Sequence, residues 1–373
     1  MKSKLIQFAV AAALATAATT GIAADRKIVI LQALTGGAAF VGVPASEGMK
    51  FAIDELNAKK FLGADKITYE VADSASARAQ AMAAVTRYAS DPNVLFIMGP
   101  TTAVEAIPAA GVANDAKIPM KSMTNAVAML NAGPYGFIAS QPPLITMPQL
   151  GEYVMNKVKP KTCATIRFTD NEAYVDLERL FLEATEPKGL KIVDRSGIKQ
   201  ADSDFSAVAT RIVAAKPDCV MIFTLGPTGA NLAIQLKQAG LPAASQLIGQ
   251  TGLSSPQLIS IGGAAVEGLV FNSDWTPGGN SPSGKAFATA YKTKTGKDAD
   301  NWAALGYSYI QVMATAIKGA SPNPTREKIK DAMYKIKDVP VVVGDGKYNY
   351  VNRIPVYGST FLQVKNGQFV AAP

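Results

Sequence analysis

From residue 27 onward, predicted strands alternate with predicted helices, and this alternation restricts the chain to folds built on parallel sheets. A first series of strand–helix units extends to about residue 140, where the turn-forming segment Gln141-Pro142-Pro143 interrupts it. A second series then continues to about residue 272. Each series predicts an open parallel sheet with helices on both faces, so we expect an α/β protein with two doubly wound lobes.

Roughly the last hundred residues depart from this alternation, because three predicted helices follow one another before a group of short strands. In the simplest interpretation the helices return to the first lobe and the strands to the second, although a third lobe is an alternative. We therefore assign residues 25–140 and 274–347 to lobe I, and residues 141–273 and 348–373 to lobe II. Several chain crossings between lobes are typical of a hinged cleft.

The first 24 residues have the pattern of a secretory signal peptide. Lys2 and Lys4 precede an uncharged apolar segment over residues 5–20, and the small residues that follow suit cleavage after Ala23 or Ala24. A transmembrane anchor is the competing interpretation, but the apolar segment is too short for a span and contains Thr and Gln. We therefore expect an exported chain, most simply in a bacterial periplasm, with no stable membrane insertion.

The 373-residue chain contains no histidine, which excludes a Ser-His-Asp triad, a Cys-His dyad and histidine-ligated metal sites. Its formal charge of +8 falls to +6 without residues 1–24, because that segment carries two lysines and no acids. The basic residues are scattered rather than clustered, so we expect no nucleic-acid partner. No cofactor and no bound metal ion are expected either, whereas catalysis by carboxylates or lysine stays open.

Two cysteines, Cys163 and Cys219, each stand near the start of a predicted strand. An oxidising compartment would permit a disulfide between them. Matching positions on neighbouring parallel strands are poorly placed for bridge geometry, however. We therefore expect two buried free thiols.

Ligands of doubly wound sheets bind beyond the carboxyl ends of the strands, so the loops after the strands are the candidate lining of a site. These loops are residues 34–42, 99–103, 122–125, 169–174, 225–228 and 251–253, and a further loop, 273–275, lies at a predicted lobe crossing. The first loop is rich in glycine and precedes a helix that we predict over residues 44–58.

The most informative of these loops follows five consecutive apolar residues, Val94 to Met98, which predict a strand covered on both faces. Gly99-Pro100 forms a turn, and a helix begins near Thr102, which forms a capping-box pattern with Glu105. The free N–H groups at such a helix start are a site for a carboxylate or phosphate. A capped helix that binds nothing is the alternative and, for this segment alone, the more common case.

Two other motifs could indicate phosphate binding or hydrolysis, but each matches its pattern poorly. The segment from Gly279 to Ala286 nearly matches a phosphate-binding loop, but Ala286 replaces the required Ser or Thr, and Pro282 suits the first position of a helix. Asp170 and Glu172 could form an acid pair for a secreted hydrolase, but acids at this position more often cap the next helix.

Several segments, taken together, are shared with one protein family. They are the signal peptide, the loop starting at Leu34 before residues 48–57, Gly99-Pro100 at a helix start, residues 171–174 after a strand, and residues 204–206. The chain resembles the leucine/isoleucine/valine-binding protein family, the type I periplasmic solute-binding proteins of ABC importers. The resemblance covers nearly all of the mature chain. It implies two lobes joined by a multi-stranded hinge, no catalysed reaction, and an ABC permease complex as partner.

In amino-acid-binding members of this family, a hydroxyl and backbone N–H groups at the corresponding helix start hold the ligand carboxylate. By that resemblance Thr102 and Ala103 take this role, although Ala103 replaces the usual serine. Thr124 matches a second contact, and Tyr174 matches a cleft tyrosine of lobe II. The full set of expected ligand-binding residues is Phe40, Val41, Thr101, Thr102, Ala103, Ser122, Met123, Thr124, Tyr174, Gly226 and Thr251.

Two departures from the family pattern concern the ligand. Thr251 stands where amino-acid binders place an acid that pairs with the ligand ammonium, and Gly226 stands where they place an aromatic residue. A buried ammonium without a partner would lose about 3–5 kcal/mol. We therefore expect a small carboxylate as ligand, aromatic or aliphatic, with space at Gly226 for a bulky group.

Three alternatives stay open. The chain could bind a branched-chain or other hydrophobic amino acid after all, with an acid elsewhere pairing the ammonium. It could be a secreted hydrolase that uses Asp170 and Glu172. It could also dock on a sensory receptor rather than on a permease, which the sequence does not distinguish from transport.

Overall fold

Two parallel sheets form the centres of two lobes in the computed structural model, which describes residues 24–277 and 282–372. The predicted fold class is confirmed. Most of the predicted signal peptide, and residues 279–281 of the segment that resembles a phosphate-binding loop, lie outside the described residues. Pro282 is the first residue of a helix, as predicted.

The sheet of lobe I has five parallel strands in the order β2-β1-β3-β4-β5. Residues 28–31 of β1 and most of β3 are apolar and fully buried, as expected for strands that helices cover on both faces. Strands and helices in this part of the chain are β1 (Asp25–Gln32), α1 (Ala39–Ala58), β2 (Lys66–Asp73), α2 (Arg78–Ala89), β3 (Val94–Met98), α3 (Ala103–Asp115), β4 (Met120–Ser122) and β5 (Gly136–Ile138).

The sheet of lobe II has seven strands in the order β15-β14-β10-β9-β8-β6-β7. Its central strands are parallel, whereas β14 pairs antiparallel with β10 and with β15. The elements are α4 (Pro143–Tyr153), β6 (Thr162–Phe168), α5 (Glu172–Thr185), β7 (Lys191–Ile198), α6 (Ser206–Ala215), β8 (Cys219–Phe223), α7 (Gly226–Gln238), β9 (Gln246–Gly249), α8 (Pro256–Gly262), β10 (Val270–Ser273), β14 (Thr360–Lys365) and β15 (Gln368–Ala371).

The remaining elements pack on lobe I. They are α9 (Pro282–Thr295), α10 (Asn301–Gly319), α11 (Arg326–Met333), β11 (Val339–Pro340), β12 (Lys347–Val351) and β13 (Ile354–Val356). Aromatic contacts tie α9 and α10 to α1, since the ring of Phe51 lies 6.1 Å from that of Phe287 and 5.7 Å from that of Tyr307. These ring contacts place α9 and α10 against α1.

The proposed lobe boundary at residues 347 and 348 needs correction, because β12 and β13 also belong to lobe I. The hydroxyls of Tyr348 and Tyr350 donate to the carbonyls of Ala139 and Ile138 at the end of β5. Arg353 donates to the carbonyl of Gly133. The chain therefore crosses to lobe II only after Tyr357, about ten residues later than we expected from the pattern of short strands.

The expectation of two free thiols is wrong, because Cys163 and Cys219 form a disulfide. They are direct partners in the register of the neighbouring strands β6 and β8, with Cα atoms 4.6 Å apart. That separation lies within the range of protein disulfides, so the adjacency of the strands permits the bridge after all.

This disulfide predicts a stability effect without a binding effect. Replacing both cysteines by alanine should lower the free energy of unfolding by about 2–4 kcal/mol, because the bridge closes a long loop in the unfolded chain. Ligand affinity should not change, since both residues lie at the amino ends of their strands, away from the site described below. Denaturant unfolding and calorimetric titration would test this, and a free thiol in the unfolded wild type would contradict it.

Candidate functional site

A cavity of about 610 Å³ lies between the two lobes. Its walls come from the loops after the parallel strands of both sheets, which is where open α/β sheets bind ligands. The volume is typical of a small-molecule site. Nine of the eleven expected residues line it, namely Phe40, Val41, Thr101, Thr102, Ala103, Met123, Thr124, Tyr174 and Thr251, whereas Ser122 and Gly226 do not.

The start of α3 forms one wall of this cavity. Thr102 is the N-cap residue, with extended backbone angles of φ −108° and ψ 162°, and it forms the predicted capping box with Glu105. Its backbone N–H and its hydroxyl both donate to the Glu105 carboxylate, at 2.9 and 2.7 Å. Ala103 and Val104 follow in the wall, and their N–H groups have no acceptor within the helix. At this helix start, the N–H groups of Ala103 and Val104 are therefore available to an anion, whereas the N–H and the hydroxyl of Thr102 are engaged by Glu105.

The hydroxyls of Thr101 and Ser122, next to α3, form hydrogen bonds that connect neighbouring loops. Thr101 donates to the Gln32 side chain and accepts from the N–H of Ala33, which fixes the α3 loop to the end of β1. Ser122 donates to the carbonyl of Pro100 at 2.6 Å and lies behind the wall. Both were expected to bind the ligand. Thr101 lines the cavity with its hydroxyl engaged in these two hydrogen bonds, whereas Ser122 lies outside the lining, contrary to the expectation.

Thr124 differs from these residues because, among residues 24–277 and 282–372, its hydroxyl proton has no acceptor. It is buried and lines the cavity, and its hydroxyl oxygen accepts from the N–H of Ala126 at 3.0 Å. A hydroxyl that accepts in this way keeps its own O–H proton for another acceptor. Thr124 can therefore donate to a ligand oxygen beside the start of α3.

Asp73 holds the glycine-rich loop after β1 in place. Its carboxylate accepts from the N–H groups of Leu34 and Ala75 and from the Thr35 hydroxyl. Burial acts to raise the pKa of Asp73, but these hydrogen bonds outweigh it and hold the pKa below its usual value. The fixed loop allows α1 to begin at Ala39, five residues before the predicted start, so that Phe40 and Val41 enter the cavity from its first turn.

Lobe II supplies Tyr174 and Thr251 to the opposite wall. The Tyr174 ring packs edge-on against Phe168, with centroids 5.1 Å apart, and burial raises the pKa of its hydroxyl. The Thr251 hydroxyl accepts from the side-chain amide of Asn272 at 3.1 Å. Thr251 therefore offers a polar but uncharged contact where the family pattern has an acid.

The expected space at Gly226 does not exist, and this expectation is corrected. Gly226 is the first residue of α7 and is buried against α8. A Cβ atom at this position would lie 3.1 Å from the Cβ of Ser255. The glycine thus permits helix packing, while its neighbours Leu225 and Pro227 line the cavity instead.

Asp274, to which the sequence analysis gave no role, is the most important addition to the site. Among the described residues that line the cavity, it is the only one with a charged side chain, and it is 4% exposed. Its carboxylate accepts from the Tyr357 hydroxyl at 2.8 Å and from the Asn301 amide at 3.5 Å. Burial raises the pKa of Asp274 to about 6, although both hydrogen bonds act to lower it. The sequence signal that could have identified Asp274 as a site residue is its position directly after a buried strand, at a predicted lobe crossing.

Other residues that the sequence analysis missed complete the lining. Their side chains come from the crossing after β5, from the loop after β7 and from the start of α10, and they include Ser140, Gln141, Gln200 and Trp302. Crossings are hard to recognise as parts of a site from the sequence, because they follow no strand–helix pattern.

The acid pair of the hydrolase hypothesis does not meet in the cavity. The Asp170 carboxylate accepts from the N–H of Gln200 at 3.1 Å, and Glu172 is the first residue of α5. Neither residue lines the cavity, although Asn171 between them does. Neither acid caps α5, because its N-cap residue is Asn171, whose side chain accepts from the N–H of Ala173 at 3.2 Å. The structure therefore supports neither the acid pair nor the expectation that these acids cap the helix.

Comparison with known proteins places these observations in a family context. The sequence profile of a family described as periplasmic binding protein matches residues 26–368. The Leu/Ile/Val-binding protein BraC3 of Rhizobium johnstonii is 28% identical over 354 residues, which are 94% of each chain. The leucine-specific-binding protein of Salmonella typhimurium is 26% identical over 344 residues, which are 91% of each chain.

Solved structures are similar in fold. A leucine binding protein from Thermotoga maritima has a TM-score of 0.83 at 25% identity, over 93% of this chain and 97% of that one. A branched-chain amino acid transporter substrate binding protein from Streptococcus pneumoniae, solved with isoleucine, has a TM-score of 0.84 at 22% identity, over 92% and 97%. Within residues 24–277 and 282–372, we find no helix that combines the length and apolar character of a membrane span.

Proposed function

The chain belongs to the periplasmic binding protein family, and from this premise we propose that it binds a branched-chain or other hydrophobic amino acid between its lobes. One observation carries the proposal. A buried acid, Asp274, lines the same cavity as the N–H groups at the start of α3. An α-amino acid carries an ammonium and a carboxylate, and these two elements provide one partner for each charge.

Each part of such a ligand has a place in the cavity. The carboxylate accepts from the N–H groups of Ala103 and Val104 and from the Thr124 hydroxyl, while the ammonium pairs with Asp274. Apolar side chains from both lobes surround the remaining space and suit a hydrophobic ligand side chain; they include Phe40, Val41, Met123, Met147, Leu177 and Leu225. The two relatives compared above are named as leucine-, isoleucine- and valine-binding or leucine-specific-binding proteins, which supports this ligand class.

A plain carboxylate, aromatic or aliphatic, is the second candidate. Thr251 favours it, because the wall of lobe II lacks the acid that the family pattern has there. The argument from space at Gly226 no longer supports it, since that residue is packed against Ser255. An ionised Asp274 would also repel a ligand whose only charge is negative.

Calorimetric titration with three matched ligands separates the two candidates. Leucine carries both charges, isocaproate is the same molecule without the ammonium, and isoamylamine is the same molecule without the carboxylate. We expect leucine to bind and the other two to bind at least about a hundredfold more weakly, because each leaves a buried group unpaired. Equal or tighter binding of isocaproate would contradict the amino-acid proposal.

The pH dependence of affinity gives a second test, because its sign differs between the two ligands. With the pKa of Asp274 near 6, the ionised fraction of its carboxylate falls about tenfold per pH unit below that value. Leucine needs the ionised form, so its Kd should rise as pH falls from about 7.5 to 5.5. Isocaproate is repelled by the ionised form, so its Kd should fall over the same interval. A leucine affinity independent of pH would show that Asp274 does not face the ammonium.

The proposal includes the location and partner of the protein. A soluble receptor in the periplasm would close on its ligand and present it to an ABC permease, without catalysis. Recovery of the ligand chemically unchanged after incubation would agree with this role, whereas turnover would support a hydrolase. Binding of the liganded form to a sensory receptor but not to a permease complex would replace transport by signalling.

A further inference from the structure

Lys121, in the middle of β4, is enclosed in the core of lobe I and is 1% exposed. Its Nζ atom lies 4.4 Å from the ring centroid of Tyr348, 4.6 Å from that of Tyr309 and 5.5 Å from that of Tyr350. Within the described part of the chain, no atom accepts a hydrogen bond from Nζ. We call these four residues the tyrosine cage. Its amine is surrounded by aromatic faces, which attract a cation.

The three hydroxyls of the tyrosine cage hold the segment by which the chain first leaves lobe I. Tyr350 donates to the carbonyl of Ile138 at 2.8 Å, and Tyr348 donates to that of Ala139 at 2.9 Å. Tyr309 bonds to the hydroxyl of Ser140 at 2.7 Å. Three consecutive residues at the first crossing are thus fixed by three rings that share one lysine.

The same segment continues directly into the cavity and the other crossings. Ser140 and Gln141 line the cavity. The Gln141 side chain donates to the carbonyl of Gly358 and accepts from the N–H of Tyr357, at the third crossing. Tyr357 stacks on Tyr348 with centroids 5.3 Å apart and donates to Asp274 at the second crossing. Hydrogen bonds and ring stacking therefore connect the tyrosine cage to all three crossings and to Asp274, the charged residue of the site.

Stability alone does not explain a lysine at this position. Burying an amine without a hydrogen-bond acceptor is costly, and an apolar side chain of similar length would fill the same space at lower cost. Burial lowers the pKa of Lys121 well below its usual value, while the three ring faces act in the opposite direction because they stabilise the cation.

We propose that Lys121 is a positioning residue for the inter-lobe cleft. Its amine, packed on three tyrosine faces, orients the hydroxyls that fix residues 138–140, and thereby sets the geometry in which the lobes close on a ligand. This role goes beyond the ligand assignment above and depends on it only for the choice of leucine as the probe.

The test replaces Lys121 by methionine, which keeps the length of the side chain and removes the amine. We expect amide hydrogen exchange at residues 138–141 of the ligand-free protein to become at least about tenfold faster, and leucine to bind at least about tenfold more weakly. The melting temperature should stay the same or rise, which separates positioning from a general loss of stability.

Tyr309→Phe is the second variant, because it keeps the ring and removes only the hydroxyl that bonds to Ser140. It should show the same two changes, and it decides the question if Lys121→Met does not fold. Tyr291→Phe is the matched control, since Tyr291 is also a buried tyrosine of lobe I but its hydroxyl bonds to Glu47, 3.2 Å away. Neither exchange at residues 138–141 nor affinity should change in the control.

The outcomes separate this inference from the proposed function. Unchanged exchange at residues 138–141 in Lys121→Met overturns the positioning role, and so does faster exchange with unchanged affinity. If the wild type binds no amino acid, the proposed function fails, and exchange in the ligand-free variants alone decides whether the tyrosine cage fixes the crossing.

Discussion

Replacing Asp274 by asparagine should weaken leucine binding by at least about a hundredfold while both lobes still fold. Asparagine keeps the shape of the side chain and an oxygen that accepts from the Tyr357 hydroxyl, so the contact at 2.8 Å can persist. Only the negative charge is lost, and the ligand ammonium is then buried without a counter-charge. Losing one partner of such a pair typically costs about 2–5 kcal/mol of binding free energy. The free energy that corresponds to a hundredfold change in Kd falls within this range.

Asp300→Asn is the matched control for this variant. Asp300 is also a largely buried acid of lobe I, and burial raises its pKa to about 6 as well. It caps α10 by accepting from the N–H of Ala303 at 2.8 Å, a role that asparagine can take over, and it does not line the cavity. Leucine affinity should be nearly unchanged. If both variants lose affinity equally, a general effect of neutralising buried acids replaces the specific role of Asp274.

Asp274 illustrates which features of the structure can be predicted from the sequence and which cannot. The alternation of strands and helices was sufficient to predict the two lobes, because each strand–helix unit follows local rules of periodicity and capping. The start of α3 was predictable for the same reason, since Thr102 and Glu105 form a pattern within four residues. Asp274 lies at a crossing, however, and its neighbours Asn301 and Tyr357 are distant in the sequence.

Two wrong predictions have different causes. The sequence analysis placed Cys163 and Cys219 on neighbouring parallel strands but judged that geometry unsuitable for a bridge, whereas their Cα atoms are 4.6 Å apart, close enough for a disulfide. Gly226 supports the packing of α7 on α8 rather than a ligand, because Ser255 lies beside it. Alignment with a family pattern indicates which loop a residue belongs to. Which side of that loop faces the cavity depends on packing between elements.

Replacing Ala103 by proline should weaken leucine binding by about ten- to a hundredfold, because it removes one N–H from the anion-binding start of α3. Ala103 is the first residue of the helix, where proline is well tolerated, and Thr102 before it has the extended conformation that proline requires. The melting temperature should therefore be unchanged. Proline at Thr102 would be a poorer test, since that N–H donates to Glu105 in the capping box.

Two further variants separate the lost N–H from other effects of proline. Ala103→Ser keeps the N–H and adds the hydroxyl that the family pattern has there, so leucine should bind as tightly or several-fold more tightly. Arg78→Pro places proline at the first position of α2, after the extended residue Ala77 and outside the cavity lining, and should leave affinity unchanged. If Ala103→Pro binds leucine like the wild type, the carboxylate does not lie at the start of α3. Asp274 would then hold the ammonium of a ligand whose acidic end points elsewhere in the cavity.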